Sequence, residues 1–347
     1  MTTKCTIALD AMGGDFGPAV IIPGASISLI RNPQLKFKLY GDEAAITKEL
    51  AGYPKLAARS NIFHTDNSIA MDDKPSQALR RGRDSSMWKS IAAVRDGDAD
   101  VVISAGNTGA LMAMTKLVLR PVAGIDRPAI AAIWPTVHSE CIVLDVGANI
   151  GANAKQLCDY ALMGAAMARA LFHIERPSVG LLNVGVEEIK GANEVKESHA
   201  RLRKANNLPI WYHGFIEGDQ IGQGLVNVVV VEGFAGNIAL KTAEGTAKQI
   251  SRYLKDSMQR SVYSKLGAFL AQGGFNVLKN KMDPRRSNGG AFLGLNGIAI
   301  KSHGGADALG FASAIDIGCD MAEASLVRRF SEDLNNFHSQ ISEKLAS

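Results

Sequence analysis

The chain has 347 residues, of which 46% are hydrophobic and 21% charged, with 35 glycines and a formal net charge of +4. This is ordinary for a soluble α/β enzyme, as one large body or two domains. No apolar run approaches the ~20 residues of a membrane span, and Met1-Thr2-Thr3-Lys4-Cys5-Thr6 leads into a strand rather than a signal peptide, so a cytoplasmic protein is expected.

Taken in order, Ile7-Ala8-Leu9-Asp10 reads as a buried strand. Gly13-Gly14 follows in a loop, and Pro18 suits the first turn of a helix. Lys36 to Tyr40 is a second strand with Asp42 as N-cap of the next helix, and Asn61 to His64 is a third. A helix runs from near Met87 to Gly97. Then Val101-Val102-Ile103-Ser104-Ala105-Gly106-Asn107-Thr108-Gly109 reads as strand, turn and helix start. That turn is either an anion nest, with Gly106, Asn107 and Thr108 against a phosphate, or an ordinary connection capped by Thr108. Ala129 to Trp134 and Cys141 to Leu144 are strands, followed by the polar turn Asp145-Val146-Gly147-Ala148-Asn149. Val179 to Leu182 and Val226 to Val231 are further strands; Asn296-Gly297 has hairpin chemistry, and Lys301 to Asp307 opens a last helical region. Strands alternating with helices predict a largely parallel sheet covered on both faces, an αβα sandwich with nearly all the Gly/Asn/Asp turns at its carboxyl edge.

Several chemistries lack their residues. The four cysteines (Cys5, Cys141, Cys158, Cys319) are far apart without a Cys-x-x-Cys, which fits reduced thiols better than disulfides or zinc. No Gly-x-Gly-x-x-Gly follows a strand, the stretch before Lys241 lacks the P-loop glycine, and there is no Gly-x-Ser-x-Gly elbow. The histidines have no metal-ligand spacing, so no metal or cofactor is expected. What remains is a site of amides and backbone donors with a few charges, suited to positioning and charge stabilisation.

Five motifs carry a resemblance: Ile7 to Pro18, Asp84-Ser85-Ser86-Met87, Ser104 to Met112, Leu144 to Asn149, and Gly185-Val186-Glu187-Glu188-Ile189-Lys190-Gly191. Together, from Ile7 to about Ile315, the chain resembles the bacterial phosphate acyltransferases of phospholipid synthesis. The resemblance implies a fold similar to the isocitrate/isopropylmalate dehydrogenase type and to phosphotransacetylases. It also implies transfer of a fatty acyl group from acyl carrier protein to inorganic phosphate, the acyl phosphate going to a membrane-bound glycerol-3-phosphate acyltransferase. The chain departs from the family pattern at Gly151-Ala152, where an acidic residue and Cys are frequent, at Glu232 for Asp, and at Ala306 for Ser. On this reading Lys190 holds phosphate or the developing oxyanion, its alternative being a solvated loop lysine; Asn237 donates to the carbonyl oxygen or phosphate; and His303 either protonates the leaving thiolate or is a turn residue beside Gly304-Gly305. Gly106, Asn107, Thr108 and Asn149 line the phosphate nest, and Asp10, Gly13, Gly14 and Asp145 organise loops.

One segment stands apart. Lys241 to Arg286 holds ten basic and three acidic residues, and Ile250, Leu254, Met258, Val262, Leu266 and Leu270 recur every fourth residue until Gly273-Gly274. Phe275, Val277, Leu278 and Met282 form a second apolar set. The chain is therefore read as one domain with a helical protrusion over about 238–286. Leu270, Phe275 and Leu278 are its candidates for contact with an anionic membrane surface or a homodimer partner; packing on the protein's own core is equally open for the first helix, and the Gly273-Gly274 tip with the Phe275 segment suits a membrane better. Two other functions are carried forward: a short-chain enzyme using coenzyme A thioesters, and a non-catalytic lipid-surface or nucleic-acid binding module. Acyl transfer requires no nucleic acid.

Overall fold

The computed structural model describes residues 5–205, 207–281 and 289–346. Among them, eleven strands form one sheet: β1 Thr6–Asp10, β2 Lys36–Gly41, β3 Ser60–His64, β4 Val101–Ser104, β5 Ala129–Pro135, β6 Glu140–Leu144, β7 Ser178–Leu182, β8 Trp211–Ile216, β9 Val228–Val230, β10 Gly290–Leu293 and β11 Ile298–Lys301. Their order is β3-β2-β1-β4-β11-β10-β5-β6-β9-β7-β8. Runs such as Val101-Val102-Ile103 and Val228-Val229-Val230 are buried along their whole length, as strands with helices on both faces must be. Alternation divides the core in two. Ile7 and Leu9 enter one half with Ile21 and Phe311, under the helices Pro18–Arg31, Ala154–Phe172, Ala308–Glu323 and Leu326–Ala346. Ala8 enters the other with Met87, Ile91 and Leu111, under the helices Ser86–Arg95 and Thr108–Val118. The expected αβα sandwich forms.

Strand direction decides where the functional loops lie. β1 to β4 and β11 are mutually parallel. β10 is antiparallel to both β11 and β5, and β6 is antiparallel to β5. β6, β9, β7 and β8 then continue parallel to one another. Hence β6 to β10 run against β1 to β5 and β11. The carboxyl ends of β1, β4 and β11 open at one edge, and those of β6, β7 and β9 at the opposite edge. This corrects the expectation of one shared edge; the physical cause is the pair of antiparallel reversals in mid-sheet, at the Asn296-Gly297 hairpin and between β5 and β6.

The basic amphipathic segment leaves the body. The helix Gly233–Gln259 is about 40 Å long at 1.5 Å per residue, and only Gly233 and Gly236, at its root, are buried. A second helix, Val262–Leu270, starts at Ser261, whose side chain accepts from Ser264 N–H, and has no buried residue. The fourfold periodicity thus spans two helices rather than one. Packing on the protein's own core is excluded for its outer part: Leu270 is 77% exposed and Phe269 71%. A third helix, Gln272–Lys281, contains Gly273-Gly274, so the break falls just before them. The Leu278 side chain and Met282 lie outside the described residues. Among the described residues no helix is long and apolar enough to cross a membrane.

Candidate active site

At the first edge the loops after β1, β4 and β11 meet around Asp10. This carboxylate is buried and accepts from Ser86 Oγ and Ser104 Oγ, each at 2.6 Å. Burial raises its pKa, and the two hydroxyls oppose that rise. Ser104 Oγ in turn accepts the Gly106 N–H at 3.0 Å, so that donor already has a partner. Gly13 is required here, because a Cβ would stand 2.7 Å from Gly106 N and 2.8 Å from Asp10 Oδ2. Gly14 has φ +83° and packs on Ala105 and the Gly304 carbonyl. Asn107, not Thr108, is the N-cap of the Thr108–Val118 helix: its Oδ1 accepts from Ala110 N–H at 3.0 Å. Its Nδ2 donates to the carbonyls of Met71 (2.8 Å) and Asp73 (2.9 Å), which holds the 71–73 loop beside the nest. What this edge offers an anion is the first helical turn at Thr108 and Gly109, whose N–H groups lack intrahelical partners. His303 Nδ1 accepts from Gly305 N–H at 3.1 Å in its own turn, and its ring lines a small pocket with Phe16, Ala105 and Phe311.

Lys301, at the end of β11, belongs to this edge and was not singled out from the sequence. Its Nζ donates to the carbonyls of Ala105 (3.1 Å) and Ser302. Burial lowers its pKa to about 8 against the opposing charges of Asp10 and Asp15. A lysine closing an otherwise apolar strand, three residues before a Gly-Gly turn, is the only trace of this role in the sequence.

At the opposite edge Asp145 is fully buried and builds the loop after β6. Oδ1 accepts from the N–H groups of Ile130 (3.1 Å), Gly147 (3.1 Å) and Ala148 (2.8 Å); Oδ2 accepts from Asn149 N (2.8 Å) and Nδ2 (2.9 Å). Burial raises its pKa and these donors oppose the rise. Asn149 Nδ2 also reaches Pro128 O at 2.8 Å and Tyr160 OH at 3.1 Å. Asn149 is therefore a buried strut at the edge away from Gly106, Asn107 and Thr108, and the four do not form one nest. Asn237 lies in the second turn of the Gly233–Gln259 helix, with Nδ2 donating to Val146 O at 3.1 Å across Gly147. Lys190 is half exposed and pairs with Glu187 at 2.9 Å; that hydrogen bond holds its pKa above the ordinary value. Asn183 fixes the same loop by donating to the carbonyls of Gly185 (3.0 Å) and Lys190 (3.1 Å). Between the ends of β7 and β9 opens a cleft of about 780 Å³, walled by Leu157, Leu181, Val184, Val195, Val230 and Val231. The structure thus places Lys190, Asn237, Asn149 and Asp145 at one edge, and Gly106, Asn107, Thr108, Asp10, Gly13, Gly14 and His303 at the other.

Thiol chemistry finds no support at either edge. All four cysteines are free and buried, and burial pushes Cys141 and Cys158 up to about 12, far from a thiolate at neutral pH. No group of three or more His, Cys, Asp or Glu among the described residues is arranged to hold a metal.

Comparison with known proteins bears on the family and on the fold. The profile of a family described as "Fatty acid synthesis protein" matches residues 5–329. A phosphate acyltransferase from Sinorhizobium fredii is 61% identical over 333 residues, covering 96% of each chain. A phosphotransacetylase from Streptococcus pyogenes superposes with a TM-score of 0.61 at 16% identity, covering 92% of this chain and 94% of its own. A structure described as a 4-hydroxythreonine-4-phosphate dehydrogenase, from Salmonella typhimurium, gives a TM-score of 0.52 at 13% identity over 92% of this chain and 99% of its own. At such identities these two structures speak to the fold alone. The profile match and the near full-length identity decide the family: this chain is an acyltransferase enzyme and belongs to the phosphate acyltransferases of the fatty acid synthesis protein family.

Proposed function

We propose that the enzyme transfers a fatty acyl group from an acyl carrier protein thioester to inorganic phosphate, for use by a membrane-bound glycerol-3-phosphate acyltransferase. The observation that carries this reading is the placement of Lys190 and Asn237 in loops of one sheet edge beside an apolar cleft, with all four cysteines buried away from it as free thiols. Phosphate is then itself the nucleophile. A phosphate oxygen attacks the thioester carbonyl, the carbon–sulfur bond breaks, and the proton of hydrogen phosphate ends on the carrier thiol, leaving acyl phosphate. Lys190 and Asn237 stabilise the charge on the phosphate and the carbonyl oxygen. The basic segment from Lys241 to Arg286 fits an acidic carrier protein and an anionic bilayer better than a free coenzyme.

The opposed edges give the expected homodimer a role. In one protomer, phosphate held at Thr108 lies across the sheet from Lys190. A homodimer that sets the nest edge of one protomer against the Lys190 edge of its partner completes the centre, with His303 to relay the proton of hydrogen phosphate to the leaving thiolate. Lys190→Ala removes one half of this centre. Thr108→Asp blocks the other, because an added carboxylate suits a helix N-terminus and repels phosphate. Refolding the two inactive variants together is expected to restore about a quarter of wild-type phosphate-dependent thiol release, since half of randomly mixed dimers are mixed and each holds one intact centre. No recovery, with mixed dimers verified by differential tags, would mean that each protomer works alone.

A further inference from the structure

We infer that the cleft between the ends of β7 and β9 is the seat of the acyl chain. This rests on the acyl-transfer reading and names the part of the substrate bound there. The cleft's volume of about 780 Å³ is within the ~300–1,000 Å³ of ligand pockets. Its walls come from the ends of β7 and β9, next to the β8 side of the sheet, and the starts of the helices Ala154–Phe172 and Asn193–Lys204. The charge of the lining selects the occupant: it includes Glu194 and Glu232 and no lysine or arginine. Glu232 is engaged as a cap, accepting from the N–H groups of Phe234 (2.9 Å), Ala235 (2.6 Å) and Gly151 (3.0 Å). The polar side chains on the wall are engaged likewise: Asn153 in a capping box with Gln156, Asn183 on the Lys190 loop. A phosphate or a nucleotide would meet two carboxylates and no cation there. A hydrocarbon chain meets Leu157, Leu181, Val195 and Val230. Gly191 and Ala235 on the same wall are next to Lys190 and two residues from Asn237, so a chain in the cleft leaves its thioester at the polar rim where those two side chains stand.

Burying one methylene is worth about a fourfold gain in binding, so occupancy by the chain predicts a steep dependence on chain length and a cutoff when the cleft is shortened. Ala152→Phe and Val195→Phe each add a ring to the partly exposed wall. In both variants kcat/KM for a sixteen-carbon acyl carrier thioester is expected to fall at least tenfold while an eight-carbon thioester stays within about twofold, and a fluorescent sixteen-carbon fatty acid should bind at least tenfold more weakly. Unchanged thermal melting confirms that the fold is kept. Equal losses for both chain lengths, or unchanged fatty-acid binding, would overturn the assignment. If the wild-type enzyme released no thiol with phosphate at any chain length, the acyl-transfer reading itself would fail, and the fatty-acid titration would still decide the cleft.

Discussion

The two edges of the sheet are built from the same ingredients and offer different chemistry. Each has a buried aspartate at a strand end: Asp10 is held by two serine hydroxyls, Asp145 by four backbone N–H groups and an amide. At the Asp10 edge the loops close around a small pocket, and a partly buried lysine ties two carbonyls behind the Gly106 turn. At the Asp145 edge the loops splay around a large apolar cleft, and a half-exposed lysine adjoins Gly191 of its wall. The difference shows what a Gly/Asn/Asp turn at a strand end does and does not specify. It marks a place where backbone can be organised around a carboxylate, while the neighbouring strands decide whether the loops close over a small pocket or open into a groove.

The sharpest way to break this comparison is to remove the charge from the open edge. Lys190→Ala is expected to lower kcat by about a hundredfold, the scale of losing one well-aimed transition-state donor, with little change in melting temperature because the side chain pairs only at the surface. Asn237→Ala should follow with a similar loss in steady-state assays. If both turn over like wild type, the chemistry does not belong to the open edge.

At the tight edge the expected effect is on stability and depends on pH. Burial lowers Lys301 to about 8 from 10.5, so between those values the unfolded chain binds a proton that the folded chain has released. Stability from this residue therefore rises with pH across that window and is lowest below about 8. Denaturant titrations at pH 7.5 and 10.5 should show wild type gaining on the order of 2 kcal/mol relative to Lys301→Met. A parallel pH profile in the two proteins would show that the lysine is not held as the geometry has it. Asn107→Ala removes the cap on Ala110 and both tethers to the 71–73 loop, about 1–2 kcal/mol in all. It should raise the phosphate concentration for half-maximal rate severalfold and leave that for carrier thioester unchanged.

Much of the scaffold was legible locally. Pro18 opens its helix, Asp42 caps the Glu43–Leu50 helix through Ala45 N–H, and the Asn296-Gly297 turn joins the antiparallel pair β10 and β11. Strand direction was not legible as a whole, because an apolar run reads the same whichever way it points and pairing between distant strands leaves no local mark. The hairpin was in view, but its consequence for the second half of the sheet needs the order of all eleven strands. Asn149 misled for a related reason: an amide beside a glycine turn suits a ligand or a buried carboxylate equally well, and only Asp145, Pro128 and Tyr160 around it decide. Lys301 escaped notice because a lysine at a strand end normally reaches water, whereas two carbonyls keep this one inside.

The smallest effect on catalysis, and the cleanest separation of both edges from the rest of the molecule, is expected on the projecting arm. Its outer helices expose Val262, Leu266, Phe269, Leu270 and Val277, and exposed apolar side chains gathered on one arm are a feature of interaction surfaces. Arg252, Lys255, Arg260 and Lys265, all exposed, precede or accompany these apolar residues along the chain, and basic residues together with an apolar face are what draw a helix to an anionic bilayer. On the proposed acyl-transfer reading, docking of the arm on such a bilayer would release the acyl phosphate beside its membrane-bound acceptor. Leu270→Glu together with Phe275→Glu should leave thiol release in solution within about twofold of wild type, since neither residue lies at an edge of the sheet. The same pair should abolish sedimentation with anionic vesicles, and wild-type binding should weaken as salt is raised. Should the double change leave vesicle binding intact and instead halve the mass seen in sedimentation velocity, the apolar face joins two copies of the chain, and the homodimer is held by the arm rather than by the opposed edges alone.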